Sequence, residues 1–379
     1  VSDLRVPFNR VDVSGHEREY LADAIATREL GTLGPYTLQV RDRLEQALAG
    51  PRVLVTHSCT AALEMAAILA DLGPGDEVVM PSFTFAATAN AAVLRGATPV
   101  FVDIRADTLN IDEGMVASAV GERTKAIVAV HYAGVACDLD ALAETAGASG
   151  ALLVEDAAQG ILATYRGRPL GTFGALAALS FHETKNVTAG KGGALLVNDD
   201  SLVERAELVY AHGTNQLAFL RGDVARYSWQ DTGSAFAIAE LNAAVLAAQL
   251  ERAAAITDRR TEIWEAYHAA LSDLEQQERI RRPVVPPECR HNGHLYYILL
   301  PDASRRAAFI GDLRRSGVEA TFHYVPLHDA PAGRRFGRVH GDLSLTVDLA
   351  ARIVRLPLWP EMNETDVEVV VAAVRKALA

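Results

Sequence analysis

Val53-Leu54-Val55-Thr56-His57-Ser58-Cys59-Thr60 contains the change of period that decides the fold. Residues 53–56 read as a short strand of aliphatic and β-branched side chains. From residue 60 to 72 apolar residues recur at helical spacing, so a strand passes directly into a helix. The alternation repeats downstream. Strands are predicted at 77–80, 98–102, 126–131, 151–155, 176–181 and 194–198, with helices at 86–95 and 139–149 among them. Strands that are apolar throughout are buried on both faces, and the intervening helices supply the cover. The prediction is an α/β protein built on a mostly parallel sheet. Residues 239–275 read as one long helix rich in Ala, Leu and Glu. Beyond a proline-flanked linker at 283–287 lies a second αβ region, with a strand at 295–300, helices at 303–316 and from Glu364 onward. Two domains are expected: a large one over 1–245 that includes the N-terminal arm, and a smaller one over 246–379 that begins with the long connecting helix.

The bulk numbers narrow the class. The chain has 379 residues, half of them apolar, and a formal charge of -12, which excludes a nucleic-acid binder because no basic face or tail appears. Cys59, Cys137 and Cys289 are widely spaced and form neither a disulfide framework nor a metal-binding pattern, so no metal is expected. There is no signal-peptide pattern and no membrane-length apolar run, so a cytoplasmic protein without membrane contact is expected.

Lysine is scarce: Lys125, Lys185, Lys191 and Lys376 are the only four. Arginine cannot substitute in covalent amine chemistry, because its guanidinium stays protonated. Lys376 and Lys125 read as solvated charges and Lys191 as part of a glycine turn. Lys185 follows the apolar run 175–181 and precedes a Gly-rich segment, at the exit of a buried strand. Open α/β sheets bind ligands at such strand ends. After the strand at 53–56, Ser58 and Thr60 open a helix; they either cap it or line an anion site suited to phosphate. The run Leu152-Leu153-Val154-Glu155-Asp156 ends in two carboxylates on opposite faces. Asp156 either caps a following helix or holds a protonated pyridine nitrogen, which keeps the ring an electron sink. A phosphate cradle, a ring-facing carboxylate and a lysine on successive strands are the set that pyridoxal 5'-phosphate requires. No GxGxxG follows any strand, so a nicotinamide reading has no support.

Five segments carry a resemblance across essentially the whole chain: Ser58-Cys59-Thr60-Ala61-Ala62-Leu63-Glu64, Pro81-Ser82-Phe83-Thr84-Phe85, Glu155-Asp156-Ala157-Ala158-Gln159, Ser180-Phe181-His182-Glu183-Thr184-Lys185 and Gly190-Lys191-Gly192-Gly193. With them the sequence resembles the DegT/DnrJ/EryC1/StrS sugar aminotransferases, which have the aspartate-aminotransferase fold (fold type I) and work as homodimers. The resemblance implies that Lys185 is the Schiff-base lysine and proton shuttle, that Asp156 pairs with the ring nitrogen, and that Gln159 reaches the ring hydroxyl from one helical turn further on. It implies Ser58, Thr60 and Ser180 at the phosphate, with a backbone N–H from Cys59, and Phe85 stacked on the ring, where residue chemistry alone reads a core phenylalanine. Two departures stand out. Lys191 replaces the usual glutamate of the glycine turn and reads as a solvated turn residue. An asparagine that the family brings from the second subunit has no counterpart in Gly233-Ser234-Ala235-Phe236, which leaves Ser234 or backbone to take its part.

His131-Tyr132-Ala133-Gly134-Val135 and Phe322-His323-Tyr324-Val325-Pro326-Leu327-His328 are similar to the branch that aminates dTDP-4-keto-6-deoxyglucose. The implied reaction takes the amino group of L-glutamate to C4 of that sugar, giving dTDP-4-amino-4,6-dideoxygalactose and 2-oxoglutarate. His323, Tyr324, His328 and Arg221 are candidates for the sugar nucleotide, or else structural polar groups. The gluco epimer and a C3 keto-sugar remain alternatives. So do a dehydratase, against which Lys185 counts because such relatives carry histidine there, and a non-catalytic cofactor-binding regulator.

Overall fold

The computed structural model describes residues 4–379. Thirteen strands order the described residues: β1 (Arg52–Thr56), β2 (Glu77–Pro81), β3 (Thr98–Val102), β4 (Thr124–Val130), β5 (Leu152–Asp156), β6 (Thr164–Tyr165), β7 (Arg168–Pro169), β8 (Leu176–Ser180), β9 (Gly193–Val197), β10 (Cys289–Arg290), β11 (Tyr296–Leu299), β12 (Arg338–Val339) and β13 (Ile353–Leu356). Eight of them form one sheet in the order β1-β9-β8-β5-β4-β2-β3-β12. All its neighbours pair in parallel except at β9, which runs against both β1 and β8. The fold is α/β with a mostly parallel sheet, as the continuous apolar strands predict. Helices Cys59–Leu69 and Ala86–Val93 cover one face through Leu63, Met65, Ala66 and Ala91. Helix Leu139–Ser149 packs on the other with Leu139 and Leu142.

A second apolar core gathers around the antiparallel pair β11–β13 and helices Ala253–Ala270, Arg306–Arg315 and Glu364–Leu378. Trp264, Tyr267, Phe309 and Val374 are its bulk, and Val6 from the N-terminal segment joins it. The long helix predicted over 239–275 is broken. It runs Glu240–Glu251, turns at Arg252, whose guanidinium is tied to Asp12 (3.0 Å), and breaks again at Leu271. Downstream, the chain returns to the large sheet: β12 adds to the edge of β3, and Arg338 forms a forked pair with the buried carboxylate of Glu77 (3.0 and 2.7 Å). Among the described residues no helix is long and apolar enough to cross a membrane.

Candidate active site

The parallel strands end along one edge of the sheet, and a cavity of about 340 Å³ opens there. Because β9 runs the other way, it begins where its neighbours end and contributes Gly192 to the same cavity.

Helix Cys59–Leu69 starts at this edge. Ser58 caps it by accepting the N–H of Ala61 (3.1 Å), so the capping reading is correct. It does not exhaust the helix end, because the first-turn N–H groups of Cys59 and Thr60 have no intrahelical acceptor. Gly193 lies directly behind them, and a side chain there would collide with the backbone of Ser58 and Cys59. The glycine lets strand and helix end close together, and Ser58, Cys59, Thr60 and Ser180 line that end of the cavity. Burial pushes the Cys59 thiol pKa well above its usual range, so Cys59 offers backbone and bulk rather than a nucleophile.

The two carboxylates at the tip of β5 part company as alternation requires. Asp156 faces the cavity; it accepts Thr88 Oγ1 (2.7 Å) and the N–H of Ala158 (3.2 Å), while Thr84 in turn bonds Thr88 (2.9 Å). Glu155 faces away and is fully buried. It accepts His131 Nε2 (2.9 Å) and the N–H groups of Gly171 (2.7 Å), Phe173 (2.6 Å) and Gly174 (2.8 Å). Burial alone would raise its pKa, but His131 and these N–H groups outweigh that and hold it below the usual range. Glu155 therefore anchors the loop after β7. Glu155→Gln is expected to destabilise the fold by about 3–5 kcal/mol, the cost of breaking a buried charge network, read as a lower urea midpoint.

No helix follows Asp156. The chain makes a tight turn (Gly160 N–H to Ala157 O, 2.8 Å), so Gln159 arrives on a turn rather than on a helix. Its amide oxygen accepts the N–H of Ala133 (2.7 Å) and its Nε2 donates to the Tyr324 hydroxyl (3.2 Å), which fixes it at the cavity wall.

Lys185 follows β8 and enters the cavity with no acid within ion-pair distance among the described residues. Burial depresses its pKa to about 8, Arg355 adds to the depression and Asp156 opposes it. Near neutrality about a tenth of this amine is thus unprotonated and nucleophilic, far more than for an ordinary lysine. Since only the neutral amine attacks a carbonyl, uptake of pyridoxal phosphate by cofactor-free protein should accelerate as pH rises through about 8 and then level off. A rate that is flat across that interval, followed by absorbance, would contradict this environment.

The opposite wall comes from segments around β11 and β13 and from the N-terminal segment. His323 and Tyr324 stack there (4.1 Å between centroids, 7° apart) beside His294, Arg355 and Phe8. Phe85 lines the cavity while 64% exposed, so it is no core phenylalanine. Lys191 is exposed on its turn, yet it also lines the cavity.

Three candidates lie elsewhere. Arg221 ends helix Gln216–Arg221 and is held by Glu207 (2.7 Å) and Asp223 (2.9 Å), which fits the surface-bridge reading. Ser234 is exposed and does not line the cavity. His328 is tied by Nδ1 to Ser82 Oγ (2.7 Å), where it pins the 327–329 turn to the end of β2. Conversely, Arg355, His294, Phe8 and Thr88 were not predicted. The one available signal was an arginine inside the apolar run Ile353-Val354-Arg355-Leu356.

The DegT/DnrJ/EryC1/StrS aminotransferase family model matches residues 12–375. The chain belongs to this family. Spore coat polysaccharide biosynthesis protein SpsC of Bacillus subtilis is 34% identical over 369 residues, 94% of each chain. Among solved structures, the aminotransferase TlmJ from Streptoalloteichus hindustanus superposes with a TM-score of 0.88 at 33% identity, over 99% of this chain and 98% of its own. The PLP-form of the putative sugar aminotransferase Spr1654 from Streptococcus pneumoniae gives 0.89 at 25% identity over 98% of both. This DegT/DnrJ/EryC1/StrS protein is a sugar aminotransferase that uses pyridoxal 5'-phosphate. Its cavity suits that cofactor on chemical grounds: a partly neutral, half-buried amine, a carboxylate for the ring nitrogen, and a glycine-cleared helix end for the phosphate.

Proposed function

We propose that the enzyme transfers the amino group of L-glutamate to C4 of dTDP-4-keto-6-deoxy-D-glucose, forming dTDP-4-amino-4,6-dideoxy-D-galactose and 2-oxoglutarate. The observation that carries the transamination is Lys185, a half-buried lysine whose amine desolvation holds at a pKa of about 8 and which shares its cavity with Asp156. The bound cofactor supplies a carbonyl carbon for the amine and a ring that withdraws electrons from the bond being broken. Lys185 Nζ takes the proton from the donor carbon and returns it when the acceptor is aminated. Asp156, braced by Thr88 and Ala158, keeps a positive ring nitrogen protonated. Ser58, Thr60, Ser180 and the Cys59 N–H hold the phosphate; Gln159 meets the ring hydroxyl and Phe85 covers the ring. Tyr324, whose pKa burial raises to about 12, keeps its proton and offers a hydroxyl to the sugar. His323, half-buried on the same wall, is kept neutral by desolvation and the charge of Arg355.

The keto-sugar assignment is supported by His323 and Tyr324, in the segment that resembles the 4-keto-sugar branch, which line the cavity opposite the sheet. We assign the enzyme to the cytoplasm, in keeping with three unpaired cysteines, and read it as a homodimer. The exposed Phe85 of the cavity lining and the exposed Phe219, Leu220, Tyr227 and Trp229 support a second copy of the chain. Division into domains 1–245 and 246–379 is supported by the separate apolar core around β11 and β13. The deciding experiment is NMR of the product made from dTDP-4-keto-6-deoxyglucose and L-glutamate. Ring couplings expected for an axial C4 amine support the galacto product; an equatorial amine or a C3 amine refutes it.

A further inference from the structure

Lys191 is an exposed lysine that nevertheless lines the cofactor cavity. It sits at the tip of a turn that fixes where its side chain starts. The Phe181 N–H donates to Gly192 O (2.9 Å) and the Glu183 N–H to Gly190 O (3.0 Å), so both flanks of Lys191 are tied back to the chain leaving β8. Two residues on, Gly193 pairs with Ser180 between β9 and β8 and lies against the backbone of Ser58 and Cys59. Lys191 therefore enters from the large sheet, beside the phosphate end of the cavity, and not from the wall of His323 and Tyr324. Its ammonium has no ion-pair partner among the described residues. Asp156, the one acid in the cavity lining, is engaged with Thr88 and Ala158.

Charge at the phosphate end does not balance without it. A phosphate monoester carries about −1.5 to −2 near neutrality. Ser58, Thr60 and Ser180 offer hydroxyls there and Cys59 a backbone N–H, all of them neutral. The helix end contributes the equivalent of roughly half a positive charge, which leaves more than about one negative charge uncompensated. The other two lysine and arginine side chains of the lining are placed elsewhere: Lys185 meets the carbonyl carbon, and Arg355 stands across the cavity on β13. A second copy's Gly233-Ser234-Ala235-Phe236 segment could not supply the balance, because none of its side chains is charged.

We propose that Lys191 is a phosphate-binding residue for the cofactor, its ammonium meeting the phosphate from within the same subunit. This rests on the phosphate placement at Ser58, Thr60 and Ser180 given above. A lysine suits the position: its four-carbon stem lets a compact point charge swing from an exposed turn onto an oxygen. The turn glycines keep the backbone close to the helix end, and Gly192 has no room for a side chain, since a Cβ there would press on Ala189.

Cofactor-free full-length protein, titrated calorimetrically with pyridoxamine 5'-phosphate and with pyridoxamine as its competitor, isolates the phosphate. Neither ligand forms an imine with Lys185, so binding is read without chemistry. The preference for the phosphorylated ligand should fall roughly 3- to 10-fold in Lys191→Met, between the values for an exposed ion pair and a buried charge-assisted bond. Lys191→Arg should retain most of the preference, and Lys191→Glu should lose more than Lys191→Met. The difference between Lys191→Met and the unaltered protein should shrink in about 1 M salt, where charges are screened beyond about 3 Å. The phosphorus resonance of the bound ligand should move in Lys191→Met and stay close to its original position in Lys191→Arg. An unchanged preference in both Lys191→Met and Lys191→Glu, or an equal loss for the two ligands, overturns the proposal. So does weakened sugar-nucleotide binding with an unchanged preference, which would make Lys191 a residue for the substrate's diphosphate. Ser180→Ala separates this failure from that of the phosphate placement. If it lowers the preference and the Lys191 variants do not, only Lys191 is misassigned; if none of them does, the placement at the helix end falls as well.

Discussion

Lys185→Ala is expected to abolish turnover, with a loss of at least roughly 10²- to 10⁴-fold from proton transfer alone. The reason is both geometric and numerical. Only four lysines exist in the chain, and Lys191, the other one lining the cavity, reaches it from an exposed turn rather than from a strand end. No second amine shares the burial that depresses Lys185 to about 8. Borohydride reduction of the loaded wild-type enzyme followed by peptide mapping should label the peptide containing Lys185, and the variant should lose both the label and the absorbance change with L-glutamate. Normal turnover by the variant, or a label on Lys191, would refute the assignment.

Asp156→Asn ranks second. The substitution is nearly isosteric and keeps polar atoms for Thr88 and Ala158, so the fold should survive. It removes the charge opposite a positive ring nitrogen in a site where Asp156 is only 5% exposed. Loss of one partner of a buried pair costs about 3–5 kcal/mol, which corresponds to roughly 10²- to 10⁴-fold in rate. The loss should fall on the limiting rate of both half-reactions. A decline confined to apparent donor affinity would show that the carboxylate merely shapes the cavity.

Most of the frame was legible because the large sheet is buried on both faces, which turns strands β1–β5, β8 and β9 into apolar runs that leave few alternatives. Errors fell where local pattern was weak. Helix Glu113–Ala119 is seven residues long, and β13 carries a buried arginine that disguises an otherwise aliphatic strand. The break at Arg252 depends on Asp12, some 240 positions away, and no local rule announces it. The candidate residues follow the same division. Ser58, Asp156, Ser180 and Lys185 sit on or just after strand ends, where sequence order already implies nearness. Arg355, His294 and Phe8 reach the cavity from distant segments, which only three-dimensional structure reveals. Ser234, offered in place of the family's asparagine, and Arg221, offered to the sugar nucleotide, lie on the outer surface of the single chain.

The late return of the chain as β12 has a practical consequence for anyone dissecting this enzyme. A fragment ending at residue 245 would contain nearly all of the large sheet, yet it would lack the strand that shields β3 and the guanidinium of Arg338 that grips Glu77. Such a truncation should present a bare, self-complementary border and one under-neutralised acid, and so precipitate or oligomerise on expression. The carboxyl-terminal third is in this sense a structural fastener for the cofactor half as well as the source of its opposite wall.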